Sequence, residues 1–134
     1  MPLENIGANE ILNIITHIKK WVTNLLRAKA QRKQQSKEAL RAVIKAVRET
    51  TIYLRIIRET GKKSIKKERE LSLLWTDLSF KLEDIRLKNL AGSCMKLSRY
   101  WADPADFDES FLKKAGNRLS DIEQLAQAGL DTIK

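Results

Sequence analysis

The chain contains few of the residues that most catalytic and metal-binding sites need. Its 134 residues include one cysteine, Cys94, and one histidine, His17, which excludes an intrachain disulfide and a histidine-rich metal site. Five glycines and two prolines are too few for a turn-rich all-β fold. The sequence has no P-loop and no glycine-rich dinucleotide turn. It therefore predicts a protein that is not an enzyme and that holds no cofactor and no metal.

Long apolar runs and targeting features are also missing. No stretch approaches the roughly 20 consecutive apolar residues that a transmembrane helix needs. The first basic side chain, Lys19, follows the apolar N-terminal residues, which is the reverse of the order in a secretory signal. A single unpaired cysteine suits a reducing compartment. We therefore expect a cytoplasmic protein without a membrane partner.

The residues that are abundant form a helical pattern. An apolar fraction of 43% indicates a folded chain, and the length fits one domain spanning residues 1–134. Apolar side chains recur every three or four residues along four long segments. The predicted helices cover residues 9–32, 37–60, 64 to 87 or 90, and 104 or 109 to the end.

Weaker signals decide the boundaries between these helices. A turn is placed in the polar stretch 31–36, because the next apolar stripe starts in a new phase after it, and Ser36 is a candidate N-cap for the second helix. The run 50–57 is rich in β-branched residues, as strands are, but the helical stripe passes through it. A break near 91–93 leaves a shorter helical piece. The predicted fold class is all-α: an antiparallel four-helix bundle with a possible extra short helix near 93–102.

Positive charge is concentrated in the first half of the chain. The net charge of +9 includes a local charge of +13 over residues 19–69, where 17 basic residues stand against 4 acidic ones. On a helical wheel, four cations of the second helix fall within about 80° of each other. These four are Arg41, Lys45, Arg48 and Arg55. Together with a flanking cluster of Lys62, Lys63, Lys66 and Lys67, they are the predicted nucleic-acid-binding residues. A further cluster at the start of that helix comprises Lys29, Arg32, Lys33 and Lys37.

Two interpretations of this charge remain open. Phosphate backbones are bound largely through basic surfaces of this kind, independently of sequence. A solvated face that only aids solubility produces the same pattern. No aromatic residue interleaves with the stripe, and no helix-turn-helix, RRM or KH signature is present. Any binding of RNA or DNA is therefore expected to be non-specific in sequence.

The second and third helices also carry apolar residues outside their main stripes. A surface helix of a simple bundle needs one apolar face, so a second face must be covered by something. One interpretation is a protein interface, for homo-oligomerisation or for docking on a larger partner. The alternative is cover from within the chain, by Leu3 and Ile6 or by the 93–102 piece. The predicted protein-interface residues are Leu73, Phe80, Leu87, Ile52 and Ile56.

These features favour a small basic interaction protein that binds a polyanion through the second helix and another protein through its apolar face. The alternative is a purely protein-binding adaptor or immunity-type bundle with an acidic protein partner. In size, charge and helix count, the chain is similar to small basic four-helix bundles that serve as accessory subunits of nucleic-acid enzymes. The accessory protein of diversity-generating retroelements is one such bundle. No motif underlies this likeness, so it assigns no residue.

Overall fold

The computed structural model describes residues 3–103 and 109–133, and the side chains of residues 9–103 and 112–133. Within those ranges all regular structure is helical, which confirms the predicted all-α bundle. The five helices are α1 (Leu3–Leu25), α2 (Ala30–Thr60), α3 (Ile65–Asp84), α4 (Lys88–Ala102) and α5 (Glu109–Thr132).

The helices form a closed ring in which each packs mainly against two others. The order around the ring is α1, α4, α3, α2, α5 and back to α1. Helices that follow each other in sequence alternate in direction, so a ring with five members must contain one parallel pair. That pair is α1 and α5, because Leu12 lies beside Lys114 while Val22 lies beside Gly129.

The short helix predicted near residues 93–102 is a full member of this ring. α4 covers Lys88–Ala102 and packs along α3 and α1. Gly92, which the sequence suggested as a break, lies inside α4. α3 ends earlier than predicted because Arg86 adopts a left-handed conformation with a φ of 67°. The Leu87 amide then donates to the Leu82 carbonyl oxygen (2.9 Å), a helix ending that usually contains glycine.

The first interhelical turn also differs from the prediction. α1 ends at Leu25 and α2 begins at Ala30, whereas the sequence placed the turn at residues 31–36. Ser36 is therefore not an N-cap. It is buried within α2, and its Oγ accepts a hydrogen bond from Trp21 Nε1 (3.2 Å). The polar residues before Ser36 include no strong helix breaker. The predicted turn therefore depended only on the change of stripe phase, and it was placed too late in the chain.

The turn between α2 and α3 is bounded by a glycine C-cap and a serine N-cap. Gly61 ends α2 with a φ of 69°, and its amide donates to the Ile57 carbonyl oxygen (2.7 Å). Ser64 begins α3, because its Oγ accepts from the Lys67 amide (3.2 Å). Both termini are thus satisfied locally, and α3 turns back antiparallel to α2.

Buried tryptophans connect three of the helices. Trp75 of α3 donates through Nε1 to Thr50 Oγ1 of α2 (2.9 Å). Thr50 in turn donates to the Ala46 carbonyl oxygen (2.8 Å), so the buried hydroxyl is satisfied. Trp101 of α4 packs edge-on against Tyr53, with ring centroids 6.4 Å apart. These contacts fix α3 and α4 against α2, which carries the basic stripe.

Two glycines of α5 allow a test of the packing around that helix. A Cβ at Gly129 would lie 3.1 Å from Val22 Cγ2 and 3.2 Å from Leu40 Cδ1, whereas no described atom lies within 4 Å of one at Gly116. We expect Gly116→Ala to raise the free energy of unfolding by about 0.5–1 kcal/mol, through helix propensity alone. Gly129→Ala should gain less, because Val22 and Leu40 must move apart. Urea unfolding of both variants measures the difference, and equal gains would contradict this packing.

Candidate nucleic-acid interface

The four predicted cations of α2 form one exposed surface. Arg41, Lys45, Arg48 and Arg55, called here the basic face, are all exposed. The residues that α2 buries in the core lie on its other side, as the helical wheel requires. The packing of α2 between α3 and α5 therefore leaves the basic face open to solvent.

One member of the basic face is paired with an acid of α5. Arg48 Nε lies 3.2 Å from Glu123 Oε1, and the Arg48 side chain is still 62% exposed. An exposed ion pair of this kind stabilises the fold by about 1 kcal/mol at most. Arg48 can therefore exchange Glu123 for a phosphate at little cost.

Four lysines lie in the α2–α3 turn and in the first turn of α3, near the end of α2 where Arg55 is found. Lys62, Lys63, Lys66 and Lys67, called here the turn cluster, are all exposed. Lys67 Nζ is 3.4 Å from Glu70 Oε2, an exposed pair within one turn of α3. Lys62 and Lys63 follow the end of α2 at Thr60, whereas Lys67 lines a groove between α2 and α3 that Lys45 of the basic face also lines.

The structure adds two cations that the sequence analysis did not include. Arg58 and Lys113 line a shallow recess between α2 and α5 together with Arg55, and Glu59 also lines it. Arg58 was recognisable as a neighbour of Arg55 one helical turn away. Lys113 was not, because it belongs to a C-terminal segment with more acidic than basic residues. Only the antiparallel packing of α2 and α5 brings it to this surface.

In the basic cluster at the start of α2, Arg32 has a structural role. The Arg32 guanidinium donates from Nη1 to the carbonyl oxygen of Ile85, just after the end of α3. Arg32 and Lys33 are half-buried, unlike the exposed cations of the basic face. Arg32 thus satisfies a carbonyl at a helix C-terminus, where positive charge is also favourable.

The predicted protein-interface residues fall into three places. Ile52 and Ile56 are exposed and line a groove of about 230 Å³ between α2 and α3, with Leu74 on the other wall. Leu73 and Phe80 are exposed on the outward side of α3. Leu87 is separate from both, because it lies between α3 and α4 and packs half-buried against the core.

Aromatic residues do not accompany the basic face. Within the described side chains, Tyr53, Tyr100 and the three tryptophans are buried, and Phe80 lies on α3. Pro104 and Phe107, which the sequence grouped with Tyr100 and Trp101 at a helix junction, lie outside the described residues. The described part of the surface thus offers cations for phosphates and no aromatic platform for unpaired bases.

Cys94 and Glu10 are buried groups that remain to be considered for chemistry. Burial raises the pKa of the Cys94 thiol above its usual range, with a smaller contribution from Glu10. Among the described residues, no three His, Cys, Asp or Glu side chains are grouped closely enough to hold a metal ion. None of the described helices has the length and apolar character required to cross a membrane.

Comparisons with protein-family models, with curated proteins and with solved structures find no match to this chain.

Proposed function

We propose that the chain is a non-enzymatic interaction protein of the cytoplasm that binds the phosphate backbone of RNA or DNA. The proposed contact surface is the basic face of α2, extended by the turn cluster. The observation that supports it is the exposure of four cations along one side of a single helix whose other side is anchored in the core. A phosphate backbone is the polyanion that matches such a linear array of positive charge.

The length of this array suits several phosphates. From Arg41 to Arg55 the helix rises roughly 21 Å, at about 1.5 Å per residue. One strand of a duplex has a phosphate about every 3.4 Å of axis, so the basic face spans roughly six of them. Lys62 and Lys63 lengthen this track beyond Thr60, Lys67 widens it toward α3, and Arg58 and Lys113 widen it toward α5.

The expected binding does not discriminate between base sequences. The basic face presents long, exposed side chains to phosphates, and such contacts position a protein without reporting base identity. The described residues add no exposed aromatic side chain that would stack on bases beside this face. Affinity should therefore depend on charge and salt more than on sequence.

The salt dependence of binding tests the proposal. Each phosphate contact contributes about −0.7 to −0.9 to the slope of log affinity against log salt concentration. Replacing Arg41, Lys45, Arg48 and Arg55 with Gln should make the slope less steep by roughly 3 units. The loss of affinity should be similar for different sequences. The measurement is a fluorescence-anisotropy titration of a short RNA and a short DNA at several salt concentrations.

A control variant separates this surface from net charge alone. Lys19 and Lys20 of α1 and Lys88 and Lys96 of α4 are exposed on the side of the ring away from α2. Changing these four to Gln removes the same charge and should leave the slope close to wild type. Equal slopes in the two quadruple variants would contradict the assignment to α2.

Two further measurements complete the test: one controls for folding, and the other separates the proposal from the alternative function. Unfolding by urea should be similar in both quadruple variants, because exposed charges contribute little to stability. Absence of binding at low salt, in a wild-type protein that is folded, would overturn the proposal. It would leave an adaptor with an acidic protein partner as the better interpretation of the same cations.

A further inference from the structure

The outward side of α3 has an apolar centre between ends of opposite charge. Leu73 and Phe80 are 60% and 53% exposed, and they lie two helical turns apart on this side. Exposed Arg69 precedes them by one turn, and exposed Asp84 follows by one turn. Neither Arg69 nor Asp84 is held in an ion pair with another residue that the structure describes.

At each end of α3, two exposed residues carry the charge that the helix dipole disfavours, while one residue carries the favourable sign: Glu68, buried against Tyr53, in the first turn, and Lys81, paired with Glu38 of α2, in the last. Lys66 and Lys67 lie in the first turn, where the helix N-terminus is already positive. Glu83 and Asp84 are its last two residues, where the C-terminus is negative. Each of these positions is unfavourable in an isolated helix. A second helix running in the opposite direction would place charges of the favourable sign beside both ends.

We propose that a second copy of the chain docks on this side of α3, with the two α3 helices antiparallel. The two-fold axis passes between Thr76 and Asp77, midway between Leu73 and Phe80. Leu73 of each chain then meets Phe80 of the other, and Arg69 meets Asp84. A parallel arrangement would instead place Arg69 beside Arg69 and Asp84 beside Asp84.

Arg69 and Leu73 border a recess that Ala102 and Asp103 at the end of α4 also line, and both side chains remain exposed beside it. Leu97 and Trp101 of α4, which belong to the helical piece considered as the alternative cover, are fully buried in the core. A nucleic acid or a uniformly acidic partner would meet repulsion from Glu83 and Asp84. The pattern of one basic end and one acidic end is complementary to itself, which favours a second copy as the occupant.

The oligomeric state of the full chain is the first test. After nuclease treatment, light scattering at tens of micromolar should give twice the chain mass of 15.4 kDa. Phe80→Lys should give the single-chain mass with unchanged helicity by circular dichroism. Leu26→Lys, at an exposed leucine outside α3, should remain dimeric. A monomeric wild type, or a dimeric Phe80→Lys variant, overturns the inference without affecting the proposed binding of nucleic acid.

Charge reversal tests the antiparallel pairing of Arg69 with Asp84. Arg69→Asp and Asp84→Arg should each be largely monomeric, because each creates two repulsive contacts per dimer. An equal mixture of the two variants should form a 1:1 heterodimer, because every Asp then meets an Arg. The double variant with both changes in one chain should also be dimeric. Single variants that dimerise like the wild type contradict this pairing.

Cross-linking locates the two-fold axis. A cysteine placed at exposed Asp77 lies next to its counterpart at the axis and should form an intermolecular disulfide on oxidation. A cysteine at exposed Lys66 lies on the same side but roughly 30 Å from its counterpart along the helix, at about 1.5 Å per residue. It should remain reduced. Cys94 is buried and does not compete. Cross-linking at Lys66 in preference to Asp77 would overturn the antiparallel arrangement.

Discussion

Leu25→Ala should lower the free energy of unfolding by about 2–4 kcal/mol, whereas Leu26→Ala should change it by less than about 0.5 kcal/mol. In the sequence, both leucines continue the apolar stripe of the first predicted helix, which begins with Ile11 and Ile14. In the structure Leu25 is 1% exposed and Leu26 is 66% exposed, because α1 ends between them. Truncating Leu25 removes apolar contacts and leaves a cavity, while truncating Leu26 removes surface already in water.

Urea unfolding followed by circular dichroism measures both leucine variants. The pair is matched in residue type and in the substitution made, so their difference reports the position of the turn after α1. If the turn lay at residues 31–36, as the sequence suggested, Leu26 would be helical and its truncation would be costly. Equal destabilisation by the two variants would therefore contradict the observed end of α1.

The sequence predicts the helices well wherever a stripe is bounded by a capping residue. Gly61 and Ser64 bracket the α2–α3 turn, and the structure has them as C-cap and N-cap. The turn after α1 and the end of α3 lack such signals. At the latter, Arg86 occupies a left-handed position that glycine usually takes. A non-glycine residue in that conformation leaves no trace in composition, so the pattern predicted a longer helix.

The surface residues were predictable within a helix but not between helices. The helical wheel alone placed the basic face of α2 on one exposed side, and Leu73 and Phe80 on the side of α3 opposite its core stripe. Lys113 joins Arg55 and Arg58 only because α5 runs antiparallel to α2. Leu87 left the predicted apolar row because α3 ends before it. Both depend on helix ends and packing order, which hydrophobic periodicity does not encode.

The α2–α3 turn, which positions the turn cluster, is held in place by a buried tyrosine. Tyr53 Oη donates a hydrogen bond to Glu68 Oε2 (2.6 Å) and accepts one from the Ser64 amide (3.0 Å). Tyr53 and Glu68 are both buried. The tyrosine thus satisfies a carboxylate within α3 and an amide at its start. Removing the hydroxyl leaves the buried Glu68 carboxylate and the half-buried Ser64 amide without this partner.

Tyr53→Phe should therefore lower the free energy of unfolding by about 1–3 kcal/mol, the usual cost of leaving one buried polar group, here the Glu68 carboxylate, unpaired. Adding Glu68→Leu to this variant should restore part of the loss, because the orphaned carboxylate is then removed as well. Urea unfolding at neutral pH measures both variants, and Glu70→Gln on the exposed side of α3 is the control. A Tyr53→Phe variant as stable as the control would contradict the stabilising role of the Tyr53 hydrogen bonds.

The free energy of unfolding at alkaline pH gives an independent check on the Tyr53 hydroxyl. Burial, together with the hydrogen bond to Glu68, raises the pKa of Tyr53 from 10.0 to about 12. Between these values the unfolded chain loses the phenol proton while the folded chain keeps it, so the stability from this group falls as pH rises. Below pH 10 its contribution is fully present. The stability difference between wild type and Tyr53→Phe should thus be constant up to about pH 10 and shrink above it. A difference that grows with pH would show that the folded protein prefers the ionised phenol.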